Sequence, residues 1–199
     1  MAARSGMIDM IEVLRGLVDA GTADFTIGTT TYWNDNTLQD LLDKYRDDFI
    51  EEELIPIQQY RNGTVYYQDY RSQYGNLEGV ASGTAIFKLD NSGGTNMPGT
   101  MWTADYPRGV ITFTNDTLGS SMMLTGRSYD LNAAAAETWR YKLANAAKMY
   151  TFSAGGQSFQ RKEYTENCKY MAEYYEGLAA PTIVSLYRGD NVQAGVNDD

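Results

Sequence analysis

The sequence predicts an α+β chain: a helical bundle of four helices (two N-terminal, two C-terminal) with an inserted antiparallel β domain and an extended C-terminal tail. Three observations carry this. Apolar residues recur at helical spacing near both ends of the 199-residue chain. Runs of β-branched and aromatic residues between turn signals fill the middle. Beyond Pro181 the helical pattern stops. The expected organisation is a helical core from residues 1–53 and 129–180, a β-rich insertion at 54–128 and a tail at 181–199.

The first helix follows from Met7, Met10, Ile11, Leu14, Leu17 and Val18 at three- and four-residue spacing, with Asp9, Glu12, Arg15 and Asp19 opposite and Gly21 as a stop. Residues 22–31 are polar and β-branched and read as a loop. A second helix starts at Asn34, a side chain suited to capping, with Trp33 placed to pack on Leu38. Asp35 suits the positive end of that helix. Its apolar stripe runs Leu38, Leu41, Leu42, Tyr45, Phe49.

The pattern changes near Leu54. Ile55 and Ile57 alternate with Pro56 and Gln58, and Asn62-Gly63 is a strong hairpin signal before the run Thr64 to Tyr70. Further β-like runs are Ala85–Leu89, Val110–Phe113 and Met122–Thr125, separated by Ser92-Gly93-Gly94, Pro98-Gly99 and Pro107-Arg108-Gly109. This gives roughly five or six strands. Asp130 caps a third helix through Ala133–Ala136, Trp139, Leu143, Ala146, Ala147 and Tyr150. Gly155-Gly156 break it, and Ser158 caps a fourth with Tyr164, Cys168, Met171, Tyr175 and Leu178 on one face.

Composition removes several function classes. The chain has no histidine and one cysteine, so Ser-His-Asp and Cys-His nucleophiles, an intrachain disulfide and cysteine zinc sites are excluded. The net charge of −10 argues against tight binding to phosphate backbones. No apolar run approaches the ~18–20 residues of a membrane span. The N-terminal stretch lacks a signal-peptide pattern, which points to synthesis in a cytoplasm.

The motifs that remain are weak. Asp47, Asp48, Glu51, Glu52 and Glu53 could offer oxygens to a hard cation, but they have no calcium-loop spacing and read as a solvated helix end. Asp90–Gly94 lacks the closing Glu of a calcium loop and reads as a turn. Asn62-Gly63-Thr64 and Asn115-Asp116-Thr117 match a glycosylation sequon without a secretory signal. Cys168 lies on an apolar stripe and reads as a small core residue. Tyr60, Tyr66, Tyr67, Tyr70, Tyr74, Trp102 and Tyr106 form an aromatic group that suits packing, a protein interface or a sugar platform. Within it Tyr66, Tyr67, Tyr70, Tyr74 and Trp102 are the interface candidates.

Two stretches carry a family resemblance. One is Trp33-Asn34-Asp35-Asn36-Thr37-Leu38-Gln39 running into Leu41-Leu42-Asp43-Lys44-Tyr45. The other is Tyr129 to Trp139, followed by Tyr150-Thr151-Phe152-Ser153 and Gly156-Gln157-Ser158-Phe159. These resemble the second helix, and the third helix with the turn and fourth-helix start, of tailed-bacteriophage head–tail adaptor (connector) proteins. The resemblance spans residues 7–53 and 129–178; residues 54–128 inherit little from it. It implies a non-enzymatic structural subunit of the virion neck, without cofactor or catalytic residues. Such a subunit forms a homo-oligomeric ring, usually a dodecamer, seated on the portal vertex. The ring would continue the channel through which DNA passes, without binding it specifically, and would receive the next neck or tail protein. It also makes the tail the candidate portal contact, through Ile183, Val184, Leu186, Tyr187 and Arg188. The alternative from a different class is a carbohydrate- or receptor-binding β module of a virion protein.

Overall fold

The computed structural model describes residues 3–20, 26–27, 30–31, 33–80, 87–146, 152–154, 157–159 and 161–179. A 3-10 turn at Ser5–Met7 leads into α1 (Ile8–Leu17). A small antiparallel pair, β1 (Thr26–Ile27) and β2 (Thr30–Thr31), precedes α2 (Asp35–Asp43). Seven strands follow: β3 (Arg46–Glu53), β4 (Ile55–Arg61), β5 (Thr64–Arg71), β6 (Lys88–Asn91), β7 (Trp102–Asp105), β8 (Val110–Phe113) and β9 (Met122–Tyr129). Then come α3 (Leu131–Ala146), a second small pair of β10 (Phe152–Ala154) and β11 (Gln157–Phe159), and α4 (Arg161–Leu178). Among the described residues, no helix is long and apolar enough to cross a membrane.

The four-helix bundle with a projecting β insertion is corrected by this architecture. The seven strands β3 to β9 form two antiparallel sheets, in the orders β3-β9-β6 and β4-β5-β8-β7, and the helices accompany them. Extensive helix–helix pairing is confined to α3 with α4; α1 and α2 meet each other and α3 over short stretches only. The expected extended tail, residues 181–199, lies outside the described residues.

The decisive difference is at residues 46–53, where the helical stripe extended through Phe49 predicts helix and the chain makes strand β3. Helix α2 stops at Asp43, with the Lys44 and Tyr45 N–H groups closing its last turn on Leu41 and Leu42. Continuing it would stack Asp47, Asp48, Glu51, Glu52 and Glu53 at the negative end of a helix dipole. As a strand, the segment pairs from Arg46↔Tyr129 to Glu53↔Met123 and buries Phe49, which stacks on Tyr74 at 4.5 Å. The register shifts between Phe49 and Glu52. Glu51 takes a positive φ of 52°, its N–H donates to Thr125 Oγ1, and Ile50 is left in solvent.

Local signals elsewhere give the elements they predict. The Asn34 side chain accepts the Thr37 N–H at the start of α2, and Asp130 accepts the Ala133 N–H at the start of α3. Asn62 and Gly63 both adopt positive φ in the turn joining β4 to β5. The stretch read as a break with a Ser158 cap differs: Ser158 lies in β11, and α4 begins at Arg161.

Two apolar cores result. One collects Met7, Met10, Ile11, Leu14 and Val18, Leu38, Leu41 and Leu42, Ala134–Ala136 and Trp139, and Cys168, Ala172 and Tyr175. The other lies between the two sheets and holds Phe49, Leu54, Tyr70, Leu77, Phe87, Leu89, Ile111, Phe113, Met122 and Leu124.

Candidate functional site

The densest polar cluster sits where the helices meet the sheets. Glu78 is fully buried, at 0% exposure. Its carboxylate accepts Arg4 Nε at 2.8 Å and the Tyr129 hydroxyl at 2.6 Å, with Arg127 at 3.6 Å. The Arg4 guanidinium also donates two bonds to Asp43, at 2.8 and 2.6 Å. The cluster thereby ties the N-terminal segment, the end of α2, the chain before residue 80 and the end of β9 together. Burial, then the bond to Glu78, pushes the Tyr129 phenol far above its ordinary value. Burial raises the Asp43 carboxyl, but the hydrogen bonds and charge of Arg4 outweigh it and hold it below the usual carboxylate range. Backbone contact reinforces the junction. The Gly79 N–H donates to the Gly6 carbonyl at 3.1 Å, and a Cβ on Gly6 would lie 2.3 Å from the Gly79 oxygen. A buried anion matched by two guanidiniums and a hydroxyl acts as a fastening between the segments that carry them.

A second cluster borders a groove between α2 and α3. Lys44 meets Glu137 at 2.5 Å, and the Tyr45 hydroxyl donates to the same carboxylate at 2.5 Å. Burial and then Glu137 push the Tyr45 phenol to about 12. The groove encloses about 340 Å3 and is walled by Trp33, Thr37, Leu41, Tyr141 and Asn145, with Asp40 and Lys44 at its rim. Trp33 is buried, with a positive φ of 61°, and its indole N–H has no acceptor among the described residues. The sequence marks Trp33 as a helix staple and as the start of the Trp33–Tyr45 stretch, and neither signal shows that it walls a groove. Nothing in the local sequence of Arg4 or Glu78 marks them.

The aromatic group is distributed over separate contacts. Tyr70 is in the sheet core, edge-on to Phe113, with its hydroxyl donating to the Ser120 carbonyl. Tyr74 stacks on Phe49. Tyr66 and Tyr67 are partly buried on β5, where the Tyr67 N–H donates to Asp116. Tyr60 stands exposed near the hairpin turn. Trp102 and Tyr106 flank Phe87, at 5.5 and 5.4 Å, beside a shelf of about 520 Å3. The Trp102 N–H is already bonded to the Met97 carbonyl.

The carboxylates of β3 are dispersed along the strand. Asp48 pairs with Arg46 and Arg127, Glu52 accepts from Ser72 and the Gln73 N–H, and Glu53 accepts from Ser121. Among the described residues, no three His, Cys, Asp or Glu side chains are grouped to hold a metal ion. In the Asp90–Gly94 turn, Asn91 Oδ1 accepts the N–H groups of Gly93 and Thr95. Cys168 is buried; burial raises its thiol pKa against the opposing effects of Tyr164 and Lys142. The portal-contact candidates Ile183, Val184, Leu186, Tyr187 and Arg188 lie outside the described residues. No family model matches the chain, and the curated proteins give no match either.

Proposed function

We propose that this chain is a structural assembly subunit of a tailed-bacteriophage neck. It forms a ring that joins the portal vertex of the capsid to the next neck or tail protein and continues the DNA channel. One observation carries the reading most. The buried charges among the described residues, Arg15, Glu78 and Asp90, are paired within the chain with Asp35, Arg4 and Lys88, while large apolar side chains, among them Tyr141, Tyr170, Tyr174 and Leu178, stand on the helical surface. Exposed apolar groups in such numbers suit contact with other protein subunits. The sequence resemblance through Trp33–Tyr45 and Tyr129–Phe159 supplies the identity of that assembly. A net charge of −10 suits a channel that DNA must traverse without sticking. The reading assigns no catalytic role, and its location is the virion neck.

The test is mass measurement of the purified chain and co-purification with a portal, each with and without residues 181–199. A ring that binds the portal, and loses docking when the tail is deleted, supports the proposal. A monomer that ignores the portal overturns it. A second reading, a receptor- or glycan-binding module, rests on the aromatic shelf beside Phe87, Trp102 and Tyr106. It requires glycan binding that Trp102→Ala abolishes.

A further inference from the structure

An asparagine followed by a glycine can react with its own main chain, and the fold decides whether it is free to do so. The side-chain amide carbon is an electrophile. The next main-chain nitrogen is a nucleophile once it has lost its proton, and a glycine leaves its approach unhindered. Asn62-Gly63 is the only such pair in the sequence. It forms the two-residue turn between β4 and β5, with φ of 49° at Asn62 and 78° at Gly63. Both residues are exposed, as are Arg61 and Thr64 on either side. A Cβ on Gly63 would meet nothing within 4 Å. Among the described residues, neither the Asn62 amide nor the Gly63 N–H has a hydrogen-bond partner.

The turn is also thinly supported. Strand β4 is a sheet edge, and β5 pairs with β8 only at Asp69, Tyr70 and Arg71. The pairs Gln59↔Tyr66, Tyr60↔Val65 and Arg61↔Thr64 therefore form a two-stranded ribbon beyond the sheet. Such a ribbon opens locally at little expense, which permits the rotation that brings the Gly63 nitrogen to the Asn62 amide carbon. Other asparagines are held. Asn76 has a positive φ of 48°, but its amide donates to the Tyr129 carbonyl and the following Leu77 N–H donates to the Tyr106 carbonyl. Asn91 Oδ1 accepts the Gly93 and Thr95 N–H groups, and the following Ser92 N–H donates to the Ser121 carbonyl.

We propose that Asn62 is a self-modification site, converted through a cyclic imide with Gly63 to isoaspartate or aspartate. Hydroxide takes the Gly63 N–H proton, the nitrogen bonds to the Asn62 amide carbon, and the side-chain amide leaves as ammonia. Water then opens the imide. Opening at the main-chain carbonyl gives isoaspartate, with the chain running through the side chain; opening at the other carbonyl gives aspartate. Nothing is oxidised or reduced, and the balance is amide plus water to acid plus ammonia. Isoaspartate adds a carbon to the main chain of a two-residue turn, so the Arg61↔Thr64 register can no longer close as it does. Either product adds a negative charge to a chain of net charge −10.

The test stores the full-length chain in mildly alkaline buffer, folded and in urea, and follows each asparagine by peptide mass spectrometry. Enzymatic methylation of isoaspartyl groups gives a second readout. In the folded chain Asn62 is expected to convert at least about tenfold faster than Asn91, whose three hydrogen bonds must open first. Urea should raise the rates at Asn91 and Asn76 more than the rate at Asn62. Asn62→Gln, which lengthens the side chain and disfavours the five-membered ring, should remove the isoaspartyl signal; circular dichroism confirms that this variant folds. An Asn62 that keeps its amide in the folded chain overturns the proposal, whether or not it converts in urea. So does conversion of Asn91 or Asn76 at the rate of Asn62, or an isoaspartyl signal that survives in Asn62→Gln.

Discussion

Replacing Glu78 by alanine removes the acceptor shared by Arg4, Arg127 and Tyr129 at the junction of helices and sheets. The Tyr129 hydroxyl donates to it at 2.6 Å and loses that acceptor; it still accepts from Arg4 Nη2 at 3.0 Å, but the acceptor left for its own proton is Asp43 at a long 3.4 Å. A buried polar group stripped of its partner costs about 1–3 kcal/mol. Arg4 loses one bond but keeps two to Asp43, and both guanidiniums are about a quarter exposed, so water compensates part of their loss. Their combined contribution is about 1 kcal/mol after that screening. The methylenes of a fully buried side chain add about 1 kcal/mol more. The expected total is about 3–5 kcal/mol, the range for breaking a buried pair. Urea unfolding should show the midpoint falling at constant slope, and the melting temperature should drop by roughly 6–20 °C for a domain of this size. Because part of the loss is the stranded hydroxyl, Tyr129→Phe in the Glu78→Ala background should be milder than Tyr129→Phe alone, with a coupling of about 1–2 kcal/mol. A Glu78→Ala loss below about 1 kcal/mol, or additivity of the two changes, refutes the account of this cluster as a fastening.

Three further outcomes follow from the same geometry. Gly6→Ala forces a Cβ to within 2.3 Å of the Gly79 oxygen, so the two segments must separate; a loss of about 2–3 kcal/mol in chemical unfolding is expected, and a neutral result contradicts the close approach. Asn34→Ala removes the acceptor for the Thr37 N–H at the start of α2 and should cost about 1 kcal/mol, which the same assay reads, while Asn34→Asp should cost little. Acid should act through Asp43. Its folded pKa lies below the ordinary 3.8, so its stabilisation is present in full above that value and is lost as pH falls through the depressed folded value. Unfolding free energies should therefore decline below about pH 4, and Asp43→Asn should flatten that part of the profile while lowering stability at neutral pH.

Much of the local structure was legible from residue order. The Asn62-Gly63 turn, the Asn34 and Asp130 caps, and the helical stripes of α1 and α3 depend on residues within a few positions of one another, where backbone preference and hydrogen-bonding reach decide the outcome. Residues 46–53 show where that reasoning fails. Tyr45 and Phe49 sit four apart and fit a helix, yet the same segment forms a strand because β9, some eighty residues later, supplies its hydrogen bonds and Tyr74 its stacking partner. That one exchange turned an expected bundle with an appended β unit into two sheets accompanied by helices. The functional features divide in the same way. Tyr70 and Tyr74 suited packing, an interface or a sugar platform equally by sequence; strand β5 buries Tyr70, and Tyr74 in the segment after it stacks on Phe49. Arg4 and Glu78, seventy-four positions apart, had no local signature. The unbonded Trp33 and the exposed apolar side chains on α4 appear only once the helices have packed. The sequence by itself determined the composition that excludes histidine chemistry and an intrachain disulfide, the turns and the caps, because each is a property of single residues or near neighbours. Which residues are buried, paired or left facing solvent was decided by tertiary contacts, because burial and pairing are properties of segments that meet only after the chain has folded.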